Sequence, residues 1–344
     1  VQGVLDIPEE LREIQSVVVD GLARVSDVFD EQLRSELPPV DTMCAHIERY
    51  RGKMLRPTLV LLCNAAARGS EDLSAVTDRA PIVCGAVSEM VHMATLVHDD
   101  VLDEAEIRRR GRTINAMKGN ETSVILGDYL IASAYELCSS LESPVPSRIV
   151  GRASAVMCTG ELLQLHNRNN LSLDEPTYFE ILKRKTAALI GAACELGARS
   201  ALGFDREHDP IAEALRGFGL DLGIAFQIQD DVLDLTGTLE EVGKSVGKDL
   251  EKGKLTYPII HHLAHADDET RERSLIDVRA IGEGDSSDVA SLIERIEGTA
   301  SLEATRACAV SYVESAKSRL SAIPDGVAKP MLTLLADAVV TRSH

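Results

Sequence analysis

The sequence contains no tryptophan, and aromatic residues make up only 3% of it. A core for 344 residues must therefore come from aliphatic side chains, which the 44% hydrophobic content supplies; of these, Ala and Leu favour helix. Basic residues are in the minority, 36 Lys and Arg against 55 Asp and Glu, giving a formal net charge of −19. That balance argues against a general nucleic-acid binder, which needs a basic face, but leaves room for an anionic substrate on a local basic cluster. The seven cysteines (Cys44, Cys63, Cys84, Cys138, Cys158, Cys194 and Cys308) are odd in number and include no CxxC pair, so neither a zinc site nor a disulfide framework is indicated and a reducing cytoplasm is expected. No apolar run reaches the roughly 18 residues that span a bilayer, and the N-terminal residues lack the charged-then-apolar layout of a signal peptide. Because the first residue is Val1 and not Met, an upstream segment is expected. No Pro/Gly/Ser-rich linker interrupts the chain, and residues 1–344 read as one domain.

What the chain does have is the pentapeptide DDVLD, twice: Asp99 to Asp103 and Asp230 to Asp234. In a helix the first and last carboxylates of each copy share a face, and the middle one lies about 100° to the side. One acidic triplet is commonly a solvated helix face. Here, however, each copy follows an apolar or neutral stretch, Met90 to Val97 (broken by His92) and Gly223 to Gln229. Carboxylates buried there without partners would be prohibitive, so cations must compensate them. Two such clusters facing each other would cage hard cations. Oxygen ligands without Cys or His at ligand spacing favour Mg²⁺, and Mg²⁺ commonly brings a phosphate-bearing substrate to complete its coordination.

Apolar positions recur at three- and four-residue spacing, predicting helices over Leu11–Leu33, Pro57–Arg68, Pro81–Glu104, Glu121–Leu141, Ser147–Leu165, Glu175–Leu202, Ile211–Thr236 and Leu255–His265, with about three more beyond. No alternating strand stands out. Breaks are expected at Ser143 to Pro146, Gly203 to Pro210, Gly237 to Lys254 and Gly282 to Asp288.

Basic segments accompany both acidic copies. Arg51-Gly52-Lys53-Met54-Leu55-Arg56-Pro57 precedes the first, and Arg108-Arg109-Arg110-Gly111-Arg112 follows it. Gly243-Lys244 and Lys252-Gly253-Lys254 follow the second. Any one of these alone would pass for loop charge. Four of them beside two metal clusters point to diphosphate groups, gripped by guanidinium forks and ammonium point charges. His92 lies two turns before Asp99 on the same face, whereas His98 reads as structural.

These elements, in this order, resemble the trans-isoprenyl (polyprenyl) diphosphate synthases. The resemblance rests on GKMLRP (from Gly52), EMVHMATLVHDDVLDEAEIRR (from Glu89), GDYL (from Gly127), KTAALIGAACELGA (from Lys185), FQIQDDVLD (from Phe226) and GKSVGKDLEKGKLTYP (from Gly243). It implies an all-α, single-domain helical bundle around a deep central cavity, usually a homodimer. It also implies that Asp99 and Asp103 bind two Mg²⁺ ions and Asp230 a third, supported by Asp100, Asp231 and Asp234. Arg108, Lys185 and Lys244 then hold the allylic diphosphate, while Lys53, Arg56, His92 and Arg109 form the isopentenyl diphosphate pocket. Thr186 and Gln227 line the reacting centre, and Lys254 completes the phosphate-binding loop. The chain departs from the family at Arg51 and Arg110, where Gly is common, and at Arg112, where Pro is common.

The implied reaction ionises an allylic diphosphate, adds the double bond of isopentenyl diphosphate to the cation and releases pyrophosphate, lengthening the chain by one C5 unit. Product length should depend on side chains below the first acidic copy. One turn below Asp99 is Thr95, at about 5.4 Å of rise, then Ala94, with Val91 about two turns below. In the family a Phe or Tyr four or five residues before the first Asp stops growth early. Ala94 and Thr95 are small, so products beyond C20, in the range C35 to C50, are expected, with Tyr129 or Tyr135 as a deeper floor. The apolar product should leave through peripheral membrane contact. A farnesyl or geranylgeranyl diphosphate synthase, or a non-catalytic subunit of a heteromeric synthase, are the alternatives.

Overall fold

The computed structural model describes residues 7–69, 73–109, 111–206, 208–236, 247–284 and 289–341. Its helices are α1 (Arg12–Leu33), α2 (Pro38–Ile47), α3 (Leu55–Arg68), α4 (Arg79–Leu102), α5 (Ile114–Lys118), α6 (Asn120–Ser139), α7 (Val145–His166), α8 (Glu175–Leu182), α9 (Ala188–Leu202) and α10 (Pro210–Thr236). They continue with α11 (Lys248–Glu251), α12 (Tyr257–His265), α13 (Asp268–Gly282), α14 (Val289–Gly298), α15 (Ser301–Arg319) and α16 (Ala328–Thr341). Among the described residues the all-α expectation holds apart from one hairpin, in which Ile107–Arg108 pairs antiparallel with Gly111–Arg112. Two-residue strands are too short for alternation to reveal. Nor does the periodicity predict α2, which opens on two prolines; these are tolerated in a first turn, where the missing N–H would have no partner.

The chain forms two compact units. The first comprises Val1–Ser154, Leu189–Gly217 and Arg319–Thr333. Here α1 buries Ile14, Val18, Gly21, Val25, Phe29 and Leu33, a single stripe at three- and four-residue spacing. Two glycines bring the neighbouring helices close: a Cβ on Gly21 would lie 2.7 Å from Leu61 of α3, and one on Gly85 of α4 would lie 2.9 Å from Val25. Contrary to the reading that no run is long enough, α4 has the length and hydropathy of a membrane span, with a mean hydropathy of 1.5 over 18 residues. Yet 78% of that stretch is buried inside the protein, the position of a core helix. Its last turn carries the first DDVLD.

The second unit comprises Ala155–Ala188, Phe218–Ser318 and Leu334–His344. Its core gathers Leu182, Ile224, Ile228, Ile259, Ile281 and Ile296 with Tyr178 and Tyr257. Three of the six tyrosines, Tyr178, Tyr257 and Tyr312, sit there with Phe179: Tyr178 stacks on Tyr257 at 5.7 Å, and Phe179 meets both rings at 5.2 Å. A protein sparing in aromatics thus concentrates them beside the end of α10, which carries the second DDVLD. Farther along, fully buried His262 is fixed by Thr299 at 2.9 Å and Ser274 at 2.8 Å.

Candidate active site

In the first unit the three carboxylates at the end of α4 are not equivalent. Asp99 and Asp103 are half-buried and Asp100 is buried, as the 100° offset requires. The hairpin carries Arg108 back onto α4, where its Nε and Nη2 donate to Asp100 Oδ1 at 2.8 and 2.7 Å. Asp100 Oδ2 is buried with no hydrogen-bond partner. The hairpin is tied down by Thr113, whose hydroxyl donates to the Ala105 carbonyl at 2.6 Å, and by Asn115, whose amide donates to the Asp100 carbonyl at 3.2 Å.

The same hairpin places Arg109, in left-handed backbone at φ 47°, against the motif before α3. Its guanidinium donates to the Tyr50 carbonyl and lies on Gly52, where any Cβ would overlap it. Around it are Arg56, His92 and the buried acid Glu89. Burial pushes the Glu89 carboxyl upward while the charges of Arg56, Arg109 and Arg51 pull it back. Burial, then the charges of Arg56, Arg109 and Arg108, hold the His92 imidazole well below its usual range. Arg56 is brought down to about 10 by burial, against which Glu89 acts. Arg51, one of the departures from the family pattern, turns toward α1, where it pairs with Asp30 and lies 4.1 Å over the Phe29 ring. Lys53 is exposed in the turn before α3.

Among the chain-length positions, Val91 and Ala94 are fully buried; Thr95 is half-buried and its hydroxyl donates to the His92 carbonyl at 2.7 Å. Tyr129 and Tyr135 are half-buried on α6, and the Tyr135 hydroxyl would stand 3.1 Å from a Cβ on Gly151 of α7. His98 is packed over Gly127 of GDYL, with Nε2 3.1 Å from the Val124 carbonyl and 3.7 Å from Asp128. Its structural reading is thereby explained, as is the glycine of that motif.

In the second unit the burial pattern repeats: Asp230 and Asp234 are half-buried and Asp231 is buried. Asp231 Oδ2 accepts from the Tyr178 hydroxyl, and Oδ1 accepts from Gln227 Nε2 at 3.2 Å. Burial, then the charge of Asp249, pushes the Asp231 carboxyl well upward, and those two hydrogen bonds act the other way. Gln227 Oε1 in turn accepts from the Thr186 hydroxyl at 3.0 Å. Asp234 Oδ2 accepts from the Asp249 N–H at 3.3 Å.

Residues Lys183–Ala187 form a π-helical turn between α8 and α9, a distortion often found at functional sites. It presents Lys185 and Thr186 to a cavity of about 110 Å³ that is also lined by Gln227, Asp231, Asp249 and Lys254. Lys185 Nζ meets Glu161 at 2.5 Å and Gln164 at 2.7 Å. Gly160 makes room for the turn, since a Cβ there would be 2.6 Å from both Arg184 Cβ and Lys185 N. Lys244 and Arg110 lie outside the described residues.

Glu89, Glu161, Gln164, Tyr178 and Asp249 were not singled out from the sequence. Glu161 and Gln164 stand one turn apart on α7, a spacing that could have drawn attention; Tyr178 has no such signal, because its partner is 53 residues away.

The donor set fits a hard divalent cation: all-oxygen carboxylates, paired four residues apart, beside a buried carboxylate oxygen without a partner. Among the described residues no three His, Cys, Asp or Glu side chains form a ready cage. Mg²⁺ is commonly held by one or two carboxylates together with substrate phosphates.

Residues 38–296 match the model of the polyprenyl synthetase family. The heptaprenyl diphosphate synthase component 2 of Geobacillus stearothermophilus is 35% identical over 336 residues, covering 97% of this chain and all of that protein. A short chain isoprenyl diphosphate synthase of Methanothermobacter thermautotrophicus is 34% identical, covering 95% and 99%. Among solved structures, a polyprenyl synthase of Caulobacter crescentus complexed with calcium and isoprenyl diphosphate matches with a TM-score of 0.84 at 33% identity, covering 98% of each chain.

Proposed function

The chain belongs to the polyprenyl synthetase family of trans-prenyltransferases, and from that premise we propose that it condenses an allylic diphosphate with successive isopentenyl diphosphate units, 1'-4 and all-trans, in a Mg²⁺-dependent reaction whose product exceeds C20. The observation that carries the reading is the matched burial of the two DDVLD copies: each anchors its middle carboxylate inside and leaves its outer pair half-exposed. Asp99 and Asp103 would hold two ions and Asp230 a third, with Asp100, Asp231 and Asp234 in support. When bound, Mg²⁺ neutralises the diphosphate and makes it a leaving group.

The protein's own groups do the rest. Arg108, Lys185 and Lys244 hold the allylic diphosphate, with Lys254 completing the phosphate-binding loop; Lys53, Arg56, His92 and Arg109 hold isopentenyl diphosphate. The Gln227 amide and Thr186 hydroxyl set their dipoles against positive charge at the allylic carbon. Apolar walls exclude water, and the proton lost on bond formation leaves with pyrophosphate. Residues 1–344 act as one catalytic domain.

The small side chains of Ala94 and Thr95 favour C35 to C50. The likeness to a protein named as short-chain, at nearly the same identity as the heptaprenyl component, keeps a farnesyl or geranylgeranyl product as the second reading. Incubation with geranyl or farnesyl diphosphate, isopentenyl diphosphate and Mg²⁺ followed by product sizing decides between them: a dominant C15 product from the geranyl primer, or C20 from either, overturns the long-chain assignment. Ala94→Tyr should shorten the product with turnover retained, and unchanged lengths would mean that the chain does not grow past this position.

We further propose a homodimer in the cytoplasm that releases product by peripheral membrane contact. A relative named as one component of a synthase supports a hetero-oligomer as the other assembly. The mass of the purified protein in solution separates the two.

A further inference from the structure

Asp231 cannot be left bare. It is 3% exposed, so each carboxylate oxygen needs a donor. One is supplied by Gln227, a neighbour one turn back on the same helix. The other is the Tyr178 hydroxyl, from a different helix.

Three observations make the Tyr178 contact directional. First, the ring is 3% exposed and held on two sides, stacked on Tyr257 and edge-on to Phe179. Second, Tyr257 is itself anchored, its hydroxyl donating to Glu175 Oε1 at 3.3 Å. Third, Gln227 uses both ends of its amide, Nε2 toward Asp231 and Oε1 toward Thr186. The orientation of Asp231 therefore sets that of Gln227, and Gln227 orients the Thr186 hydroxyl.

We propose that Tyr178 is a positioning residue for the second acidic motif, fixing Asp231 so that Asp230 and Asp234 are presented to a divalent cation with its diphosphate and the Gln227 amide is held toward the reacting carbon. The inference rests on the prenyltransferase reading above. Tyr178 touches neither substrate nor metal in this scheme; it acts through Asp231.

The test compares the wild-type chain with Tyr178→Phe and Phe179→Leu. Phe179→Leu disturbs the aromatic cluster but removes no hydrogen bond to Asp231. Mg²⁺ is titrated calorimetrically into each protein in the presence of inorganic pyrophosphate, and kcat, KM and melting temperature are measured alongside. Tyr178→Phe should weaken Mg²⁺ binding and lower kcat, each by roughly 10-fold or more, the range for losing a partner of a metal ligand. KM for isopentenyl diphosphate should stay within about twofold, because that site is assigned to other residues. Phe179→Leu should lower the melting temperature and leave Mg²⁺ binding unchanged.

Wild-type Mg²⁺ binding in Tyr178→Phe, or an equal loss in Phe179→Leu, overturns the proposal. If Tyr178→Phe does not fold, Asp231→Asn leaves the phenol in place but turns one acceptor into a donor, and it must weaken Mg²⁺ binding to the same degree; unaltered binding there overturns the proposal as well. The calorimetry does not depend on turnover. A wild-type protein that makes no prenyl product therefore overturns the functional reading alone.

Discussion

The two copies of DDVLD have the same five residues and the same burial pattern, but their middle carboxylates are anchored by opposite means. Asp100 is held by the Arg108 guanidinium, in a neighbourhood that also contains Arg56, Arg109, His92 and Glu89. Asp231 is held by a phenol and an amide, beside a cluster of stacked rings. The flanking sequence decides which: an arginine-rich hairpin follows the first copy directly, while the second relies on a helix more than 40 residues upstream. The lesson is that a repeated motif specifies the outward face of a helix, and its inward residue takes whatever donor the surrounding fold supplies.

The difference should be measurable as stability. Arg108→Met leaves a buried carboxylate without its counter-charge and should cost about 3–5 kcal/mol in urea unfolding; a loss under about 1 kcal/mol would mean that charge is not what anchors the first copy. Tyr178→Phe removes a neutral donor and should cost less, roughly 2 kcal/mol; a loss equal to that of Arg108→Met would erase the contrast.

Gly160→Ala probes the second region through packing. Its Cβ would press on the Lys185 backbone, so a loss of about 1–2 kcal/mol is expected together with weaker binding of allylic diphosphate. Unchanged binding would show that the π-helical turn can shift at no cost to the site.

The smallest effect concerns pH in the first region. His92 is depressed in the folded protein, whereas its unfolded value is near 6.5. As pH falls through that value the unfolded chain takes up a proton that the fold refuses. The contribution of neutral His92 is therefore present above about pH 6.5 and is lost as pH drops below it. His92→Gln should flatten the stability profile between about pH 6.5 and 5 by on the order of 1 kcal/mol. An unaltered slope would show that burial and the neighbouring guanidiniums do not hold this imidazole neutral.

How much of this was legible in the sequence follows from distance along the chain. The helical assignment of Asp99 to Asp103 and Asp230 to Asp234 already separates the outer carboxylates from the middle ones, because the offset is a property of the helix itself. The basic run after Asp103 is adjacent, so its return onto Asp100 needed only a tight hairpin. Tyr178 and Asp231 lie 53 positions apart, and no local pattern reports such a contact. Glu89 lies within the stretch that leads to the first DDVLD, yet nothing local marks it, because its significance lies in the guanidiniums that gather around it in space. The small side chains of Ala94 and Thr95 are legible directly, because size is a property of the residue and not of its neighbours.

The glycines described above bear on how this protein could be engineered. Replacing a glycine inside a helix with alanine is a routine route to greater thermal tolerance, worth up to about 1 kcal/mol where the site is open. Gly298, at the end of α14, meets nothing within 4 Å of an added Cβ and suits that treatment. Gly127 and Gly160 also lie in helices, but the volume a methyl group would take belongs to the His98 ring in one case and to the Lys185 backbone in the other. A stabilisation campaign guided by helix propensity alone would select all three, displacing the His98 ring with one and the Lys185 turn with another.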